Sequence, residues 1–359
     1  MTAHSTLLFI PDISGFTEFV HSTEIKHSRH IISELLEIIV NCDQLGMHVS
    51  EIEGDAVLCY KDDIPTLAEL VQQCETTFKN FHSHLKRYDT ERICRCGACE
   101  TASNLSLKFF IHSGEVEKIK VRDHEKLHGS DVILVHRLMK NSINSSEYIL
   151  FSEAVSNSFS NSETPSWFKL NDGTDSYDSL GKVKYHFAEL GSLHTDIPTG
   201  KSISFPELSS ERISVDVEIN APLSIVYENF TNFEKRLEWN QEIKDIILQD
   251  DKKFNEAGAL HTCLVGNNML DIETIGRLED NDKIIYGERL NKFSVIRDLI
   301  TIFTFEKHGQ KTHVSAEIDF KIRSVFKWFL KPLIKKKLLQ QNNNGFIKLK
   351  EVSESESTN

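Results

Sequence analysis

Two aspartates, each at the end of an apolar run and close to a glycine, are the residues best suited to chemistry in this sequence. Asp12 closes LLFIPDI and precedes Gly15, whereas Asp55 lies at the tip of EIEGDAV. Nucleotidyl and phosphoryl transfer need a divalent ion held by hard oxygen ligands, commonly two carboxylates. If the two apolar runs are neighbouring strands, both carboxylates point to one spot. The alternative is that Asp12 caps a helix and Asp55 is a turn residue.

Histidines offer a second kind of chemistry. His112 lies on an apolar strand and His136 lies beside Arg137. Either imidazole could act as a general acid or base, but a histidine on an apolar strand is more often a satisfied core residue. We therefore favour a structural role for both.

Three cysteines crowd into a C-x-C-x-x-C spacing at Cys94, Cys96 and Cys99. Their thiolates could bind Zn²⁺, completed by Cys74 or by His82 and His84, but the second pair of a strong zinc site is missing. A redox-sensitive loop or plain packing is the favoured interpretation.

The elements that must position these residues alternate along the first half of the chain. LLFIPDI is typical of a buried strand, and apolar residues at helical spacing follow at Ile31, Leu35 and Ile38. Two short strands then meet at a turn at Glu53 and Gly54. The order predicts an α+β domain, an antiparallel-containing sheet with helices on one face. Residues 156–178 are rich in Ser, Asn, Thr and Gly and predict an irregular excursion.

A different pattern begins near Ile213. The predicted organisation is a first domain over 1–198, a linker over 199–211, a second domain over 212–352 and a disordered tail over 353–359. The second domain shows a strand, a helix, about five strands and a long terminal helix from Ser324. We expect a bent antiparallel sheet around that helix, with Phe326, Phe329 or Leu333 packed against it. The sheet residues expected to face the helix include some of Ile246, Leu264, Ile275, Ile285 and Phe305, and a cavity of roughly a few hundred Å³ is expected between them.

Composition narrows the classes of partner. The 359 residues carry a formal net charge of −13, and an acidic surface repels nucleic-acid backbones. No stretch approaches the roughly 20 apolar residues of a membrane span, and the first residues lack the pattern of a secretory signal. The seven cysteines are an odd number, which favours a reduced, cytoplasmic chain over a disulfide scaffold.

Four segments of the first half resemble the motifs of class III nucleotidyl cyclases, in the order of that family. They are FIPDISGFT, EIEGDAV, FFIHSGEV and HGSDVILVHRL, and they span most of residues 7–150. The segments CRCGAC and HRLMKNS further resemble an uncharacterised bacterial branch of the superfamily. The resemblance implies a ferredoxin-like sheet-and-helix domain.

The resemblance also assigns roles. Asp12 and Asp55 match the two aspartates that bind Mg²⁺ or Mn²⁺, and Arg137 matches the arginine that stabilises the triphosphate in the transition state. The asparagine that positions the ribose falls on Ile133. Because orientation of the 3′-hydroxyl is much of the catalysis, this departure argues against cyclisation.

Two further positions match the residues that read the base. Glu51 has the glutamate of guanylyl cyclases, and a carboxylate accepts from the N1–H and amino group of guanine. Lys126 matches neither the aspartate nor the cysteine usual at the second position. The alternative is that Glu51 and Lys126 are solvated surface charges.

The second half resembles the START/Bet v 1-like (SRPBCC) superfamily in the order of its elements, over about residues 210–350. This resemblance implies a helix-grip domain around an apolar, lipid-like ligand. Trp239, Trp328 and Phe329 are expected in the core rather than as ligand contacts. The basic run Lys335–Lys337 is expected to be a solvated helix face, with contact to an anionic membrane as the alternative.

The resemblance thus implies a signalling enzyme that uses a metal ion to convert a purine nucleoside triphosphate to a cyclic nucleotide. The resemblance implies a homodimer whose site takes the aspartates from one protomer and Arg137 from the other. The second domain would sense or carry the apolar ligand. The alternative is an inactive module that binds a nucleotide or only dimerises.

Overall fold

The computed structural model describes residues 5–23, 25–91, 93, 101–122, 124–157, 159, 163–178, 180–198, 203–248, 257–293, 295–323 and 327–358. The predicted zinc ligands Cys94, Cys96 and Cys99 lie outside these residues. The chain divides into two compact units: Met1–Lys86 with Glu100–Thr199, and Arg87–Cys99 with Gly200–Asn359.

The first unit is built on a mixed sheet with the strand order β2-β3-β1-β4-β7-β9-β8. Neighbouring strands run antiparallel except β4 and β7, which are parallel. The strands are β1 (Thr6–Ser14), β2 (His48–Glu53), β3 (Ala56–Lys61), β4 (Ser106–Gly114), β7 (Tyr148–Ser152), β8 (Asn171–Tyr177) and β9 (Gly181–Glu189); β5 (Glu117–Val121) and β6 (His124–His128) form a separate ribbon.

Helices and short turns complete this part of the chain. They are α1 (Phe16–Ser22), α2 (Ile25–Asn41), α3 (Leu67–Glu91), α4 (Ser130–Leu138), α5 (Glu153–Ser156) and the 3₁₀ helices Ala102–Asn104 and Gly191–Asp196.

The central strand β1 is buried along its whole length. Leu8 and Ile10 pack in one cluster with Val135 of α4, whereas Phe9 lies beside Ile39 of α2 on the opposite face. Because successive strand residues point to opposite faces, helices cover both sides of the sheet. The expectation of helices on one face is wrong, and the unbroken apolar run LLFI is the pattern of a strand buried on both faces.

The polar excursion predicted over 156–178 contains a strand. β8 pairs with β9 at the edge of the first sheet, and its side chains alternate between exposed and half-buried. An edge strand with little buried surface needs no apolar pattern, so the sequence NDGTDSY carries little strand signal.

The second unit is an antiparallel sheet in the order β10-β16-β15-β14-β13-β12-β11. Its strands are β10 (Ile213–Ile219), β11 (Ile243–Leu248), β12 (Leu260–Val265), β13 (Asn268–Asp280), β14 (Lys283–Phe293), β15 (Ile296–His308) and β16 (Lys311–Ile322). The helices are α6 (Leu223–Thr231), α7 (Phe233–Trp239) and α8 (Lys327–Ser357). The elements follow the predicted order.

The face of α8 that packs differs from the predicted one. Leu338, Phe346 and Leu349 pack in the core cluster of this unit, whereas Phe329 is 59% exposed and Leu333 is 67% exposed. Trp328, expected in the core, is also exposed. Phe326 lies outside the described residues. The expectation for Phe329 and Leu333 is wrong because the apolar residues of this helix are spread around it, so its sequence does not select one face.

Most of the sheet residues predicted to face the terminal helix do not belong to the core cluster of this unit. Phe305 is fully buried in the core cluster, but Ile285 is only half-buried between the buried Ile284 and Tyr286. A shift of one residue moves a side chain to the other face of a strand. Three more predicted positions are half-buried outside that cluster: Ile246, Leu264 and Ile275.

Residues near both predicted ends of the second domain make contacts that the sequence did not predict. In the predicted linker, Ser209 donates a hydrogen bond from its backbone N–H and another from Oγ to the Asp319 carboxylate, at 3.0 and 2.8 Å, so this residue is bound to β16. At the other end, α8 continues to Ser357 and Ser353 is fully buried, so residues 353–357 are helical rather than a disordered tail. Polar composition alone did not reveal these tertiary contacts. None of the helices in the described residues is long and apolar enough to cross a membrane.

Candidate nucleotide and metal site

The two aspartates lie at the same end of neighbouring strands. Asp12 on β1 stands opposite Ala56 on β3, and the backbone N–H of Ile13 donates a 3.1 Å hydrogen bond to the carbonyl of Asp55. Gly54 occupies the turn before Asp55 with φ of 65°, a left-handed conformation that glycine adopts without strain. The hairpin turn therefore brings Asp55 to the strand that carries Asp12, as the sequence predicts.

The electrostatics of the pair favour a cation. Asp12 is 7% exposed, and burial raises its pKa, opposed by Lys108, whose Nζ lies 3.2 Å from Asp12 Oδ2. Burial and then the charge of Asp12 raise the pKa of Asp55. Each carboxylate thus destabilises the charged form of the other, and a divalent ion between them would relieve that repulsion.

Lys108 is the residue that sequence reasoning missed at this site. It stands directly opposite Asp12 on β4, in the run LSLKFF, whose other residues except Ser106 are apolar. A lone lysine in a buried strand is rarely left without a partner, so the sequence did carry a signal. Its ammonium supplies one positive charge beside two carboxylates, so the group keeps a net negative charge that favours a further cation.

Glu51 and Lys126 are brought together although 75 positions separate them along the chain. Lys126 Nζ lies 2.9 Å from Glu51 Oε2 and 3.8 Å from a carboxylate oxygen of Glu53. The other oxygen of the carboxylate, Glu51 Oε1, is buried and accepts no hydrogen bond from any described residue. A buried acceptor without a donor is costly, and in native proteins it commonly marks a place that water or a ligand fills.

The unpaired oxygen belongs to a residue that lines a cleft of about 70 Å³. The cleft lies between the β2–β3 hairpin and α4, and its walls carry Asp55 and the imidazole-bearing His136 as well as Glu51. The remaining lining residues are Ile10, Glu53, Ala56, Leu58 and Met139. One predicted metal ligand and one predicted base-reading residue therefore open onto a single space.

Arg137 and Ile133 are four residues apart on α4 and share its solvent face. Ile133 is 54% exposed, and Arg137 is exposed in the last turn. Within the part of the chain that the structure describes, no hydrogen bond or ion pair joins Arg137 to Asp12 or Asp55. A single copy of the chain thus presents Arg137 outward rather than to the aspartates.

The two histidines have structural partners, as predicted. His112 is buried, with Nδ1 2.7 Å from Ser152 Oγ and Nε2 2.9 Å from Asp131 Oδ1. Burial lowers the pKa of His112, opposed by Asp131. His136 donates from Nδ1 to the carbonyl of Val132 at 2.7 Å. Both imidazoles are held by the fold.

The second unit holds a cavity of about 210 Å³ between its sheet and α8. Aromatic and polar side chains share its wall: Phe230, Arg236, Trp239, Asn240, Glu242, Ile243, Ile272, Glu288, Thr301, Phe303, Gln341, Asn342, Gly345 and Phe346. Trp239 lies in the core cluster, as expected, and also contributes to this wall.

A buried ion pair forms part of the cavity wall. Arg236 Nη1 and Nη2 donate to the two carboxylate oxygens of Glu288 at 2.6 and 3.0 Å, and Tyr286 Oη donates to the same carboxylate at 2.8 Å. Burial raises the pKa of Glu288, but Arg236 outweighs it and holds that pKa below its usual value. An ion pair therefore lies in the wall of the cavity that the resemblance assigns to an apolar, lipid-like ligand. Arg236 Nε, buried as well, donates to no described residue.

Comparisons with known proteins give three findings. Residues 32–148 match a family described as a protein of unknown function, DUF2652. An uncharacterized protein of Mycobacterium tuberculosis is 29% identical over 167 residues, which are 46% of this chain and 76% of that protein.

Several of the solved structures similar to this chain are nucleotidyl cyclase domains that match about half of it. The guanylate cyclase domain of RhGC from Catenaria anguillulae, in complex with GTP, is 17% identical with a TM-score of 0.38, covering 52% of this chain and 98% of that one. The adenylyl cyclase CyaB from P. aeruginosa is 16% identical with a TM-score of 0.36, covering 51% and 93%.

Proposed function

We propose that the first unit binds a purine nucleoside triphosphate with Mg²⁺ or Mn²⁺ and converts it to a cyclic nucleotide in a homodimer. The observation that carries the proposal is the buried, unpaired Glu51 Oε1 beside Lys126, in the cleft that Asp55 also lines. The four cyclase-like motifs of the sequence support the same assignment, which treats residues 1–198 as the nucleotide domain.

The pair Glu51 and Lys126 offers complementary groups to a purine edge. The free oxygen of Glu51 accepts from the N1–H or amino group of guanine, and the ammonium of Lys126 donates to O6. Because Lys126 satisfies only one oxygen of Glu51, the carboxylate retains an acceptor for the base. Adenine offers one donor on the same edge whereas guanine offers two, its N1–H and its amino group, so guanine uses both lone pairs of the free Glu51 oxygen.

Asp12 and Asp55 would hold the divalent ion. Two carboxylates in a partly buried setting are the ligands that Mg²⁺ and Mn²⁺ prefer, and their mutual repulsion favours cation binding. The bound ion would neutralise charge on the phosphates and activate the attacking hydroxyl. Lys108 keeps the Asp12 carboxylate oriented on the strand.

The position of Arg137 supports a site shared between two copies of the chain. Its guanidinium is exposed on α4 and has no contact with the aspartates of its own copy among the described residues. A second copy would receive this cation beside its triphosphate, where it would stabilise developing negative charge. The homodimer is therefore part of the proposal.

One observation favours the alternative function, a nucleotide-binding module without turnover. Ile133 is exposed and apolar at the position where the resemblance places the ribose-orienting asparagine. Without a donor there, the 3′-hydroxyl lacks a group to align it with the phosphorus.

Purified protein incubated with each of the four ribonucleoside triphosphates and Mn²⁺ tests the proposal. We expect a cyclic product from GTP and tighter binding of GTP than of the pyrimidines. Glu51→Gln should weaken GTP binding by roughly 10-fold or more, because it removes the carboxylate that accepts a hydrogen bond from the base. Glu125→Gln, which changes an exposed glutamate on β6, is the matched control. Binding without product would establish the alternative function, and no binding of any nucleotide would refute both.

Complementation tests the shared site. Asp55→Asn and Arg137→Ala should each be inactive alone, while an equal mixture should recover roughly a quarter of the wild-type rate. Half of the dimers would then be mixed, each with one intact site. No recovery, in a mixture shown to exchange protomers, would place the complete site in one copy.

For the second unit we propose that residues 212–352 form a helix-grip domain whose cavity binds a small molecule with an apolar body and a polar end. The aromatic wall of Phe230, Phe303 and Phe346 suits the body, and the unpaired Nε–H of Arg236 suits an acceptor on the polar end. Native mass spectrometry followed by organic extraction should reveal one such molecule. An unoccupied protein that also fails to take up amphipathic molecules would oppose the proposal.

A further inference from the structure

A second cluster of ligand-type side chains lies in the first unit, with none of the residues of the nucleotide site. His82 comes from α3, Glu147 directly precedes β7, and His194 comes from the 3₁₀ helix Gly191–Asp196. One ligand atom from each of the three lies within 4.8 Å of the others. Ser106, the first residue of β4, adds a hydroxyl to the cluster.

The distances are close to those of a shared ion. Glu147 Oε1 lies 2.9 Å from His194 Nε2 and 3.8 Å from His82 Nε2. Ser106 Oγ lies 2.7 Å from Glu147 Oε1 and 3.1 Å from His82 Nε2. Tetrahedral Zn²⁺ with bonds of about 2.1 Å separates its ligand atoms by roughly 3.4 Å, so shifts of about half an ångström would suffice around Glu147.

The rings are held in place before any ion binds. The His82 and His194 rings stand edge to face with centroids 4.5 Å apart, and Phe78 packs against both at 4.2 and 5.3 Å. Lys86 Nζ donates to the carbonyl of Ile197 at 2.8 Å and to that of His194 at 3.4 Å, which holds the 3₁₀ helix against α3. His82 itself is only 5% exposed.

We propose that His82, Glu147 and His194 form a site for Zn²⁺ or a similar transition-metal ion, completed by Ser106 or water, that fastens the 3₁₀ helix Gly191–Asp196 to α3 and β7. Two imidazoles and one carboxylate suit zinc, whereas the oxygen-only pair Asp12 and Asp55 suits Mg²⁺ or Mn²⁺. The site is structural, and it does not depend on the proposed function.

The test uses the full chain, reduced and stripped of metal, with Zn²⁺ or Co²⁺ alone as the probe. Co²⁺ should give the visible absorption of an ion with nitrogen and oxygen ligands, without the near-ultraviolet charge-transfer band of thiolate ligands. Zn²⁺ at roughly 100-fold above Kd should raise the Tm of the first unit by about 5 °C or more.

Three variants separate a metal site from other binding. His194→Ala and Glu147→Gln should each weaken Co²⁺ binding by at least about 10- to 100-fold and remove the Tm shift. His186→Ala, which changes a histidine on β9 whose Nδ1 lies 2.8 Å from the exposed Asp172 carboxylate, should change neither. His194 is partly exposed, so its variant should fold, as circular dichroism would verify.

Two results would overturn the proposal. One is wild-type protein that binds no Co²⁺ or Zn²⁺ at millimolar concentration. The other is binding that keeps the same affinity and spectrum in folded His194→Ala and Glu147→Gln, which would assign the metal to other residues.

Discussion

The two units handle buried charge in opposite ways. In the first, Asp12 and Asp55 lie close enough to raise the pKa of Asp55, and Glu51 Oε1 has no donor among the described residues. In the second, Arg236 and Glu288 neutralise each other through two hydrogen bonds. The repulsion between the two aspartates and the unpaired oxygen both destabilise the folded first unit, and a bound cation and nucleotide would remove these two effects. The arrangement in the second unit is complete in charge, and the Nε–H of Arg236 remains available to a ligand.

The largest effect is expected from breaking the complete pair. Glu288→Gln leaves the buried guanidinium of Arg236 without a countercharge, and we expect a loss of about 3–5 kcal/mol in the free energy of unfolding of the second unit. Urea unfolding followed by the fluorescence of Trp239 measures it. The double variant Arg236→Met with Glu288→Leu should lose much less, because it removes both charges. A single variant as stable as wild type would mean that the pair is not buried in solution.

A smaller difference between the units is expected in how their free energies of unfolding change as the pH falls. Burial lowers the pKa of His261 in the second unit, and that of His82 in the first, to about 4. Because the unfolded chain then binds more protons between about pH 6.5 and 4, each histidine reduces stability by up to ~1.4 kcal/mol per pH unit as the pH falls.

Asp12 and Asp55 act in the opposite direction. Their raised pKa values mean that the folded first unit takes up protons before the unfolded chain does, so their protonation stabilises it as the pH falls. In the metal-free protein, the stability of the second unit should therefore fall more steeply with decreasing pH than that of the first unit. Hydrogen-exchange mass spectrometry follows peptides of each unit separately, and equal slopes would contradict the comparison.

The smallest effect on stability is expected at the incomplete site. Asp55→Asn removes the repulsion with Asp12, so the free energy of unfolding should stay unchanged or rise by up to about 1 kcal/mol, while Mn²⁺ binding is lost. Asp63→Asn, at an exposed carboxylate paired with Lys61, is the control and should retain Mn²⁺ binding. Destabilisation by more than about 1 kcal/mol would show that Asp55 supports the fold rather than a ligand.

Local patterns determined much of this protein. The sequence specified the β2–β3 hairpin, the approach of Asp55 to the β1 end that carries Asp12, and the order of elements in the second unit. The hairpin and the order of elements depend on residues close in sequence, where glycine conformation and the alternation of apolar residues act directly. The approach of Asp55 to Asp12 also needed β1 to pair with β3, as the sequence analysis assumed.

Only the tertiary structure decided the contacts between distant segments. It paired Lys108 with Asp12, Lys126 with Glu51 and Arg236 with Glu288, and it selected the Phe346 side of α8 for the core while leaving Leu333 exposed. The same is true of the cluster of His82, Glu147 and His194, which comes from three separate elements. The residues next to a charged or aromatic side chain in sequence do not show whether it will be solvated or will contact a partner. Its free energy depends on its burial and on neighbours that only chain folding brings near.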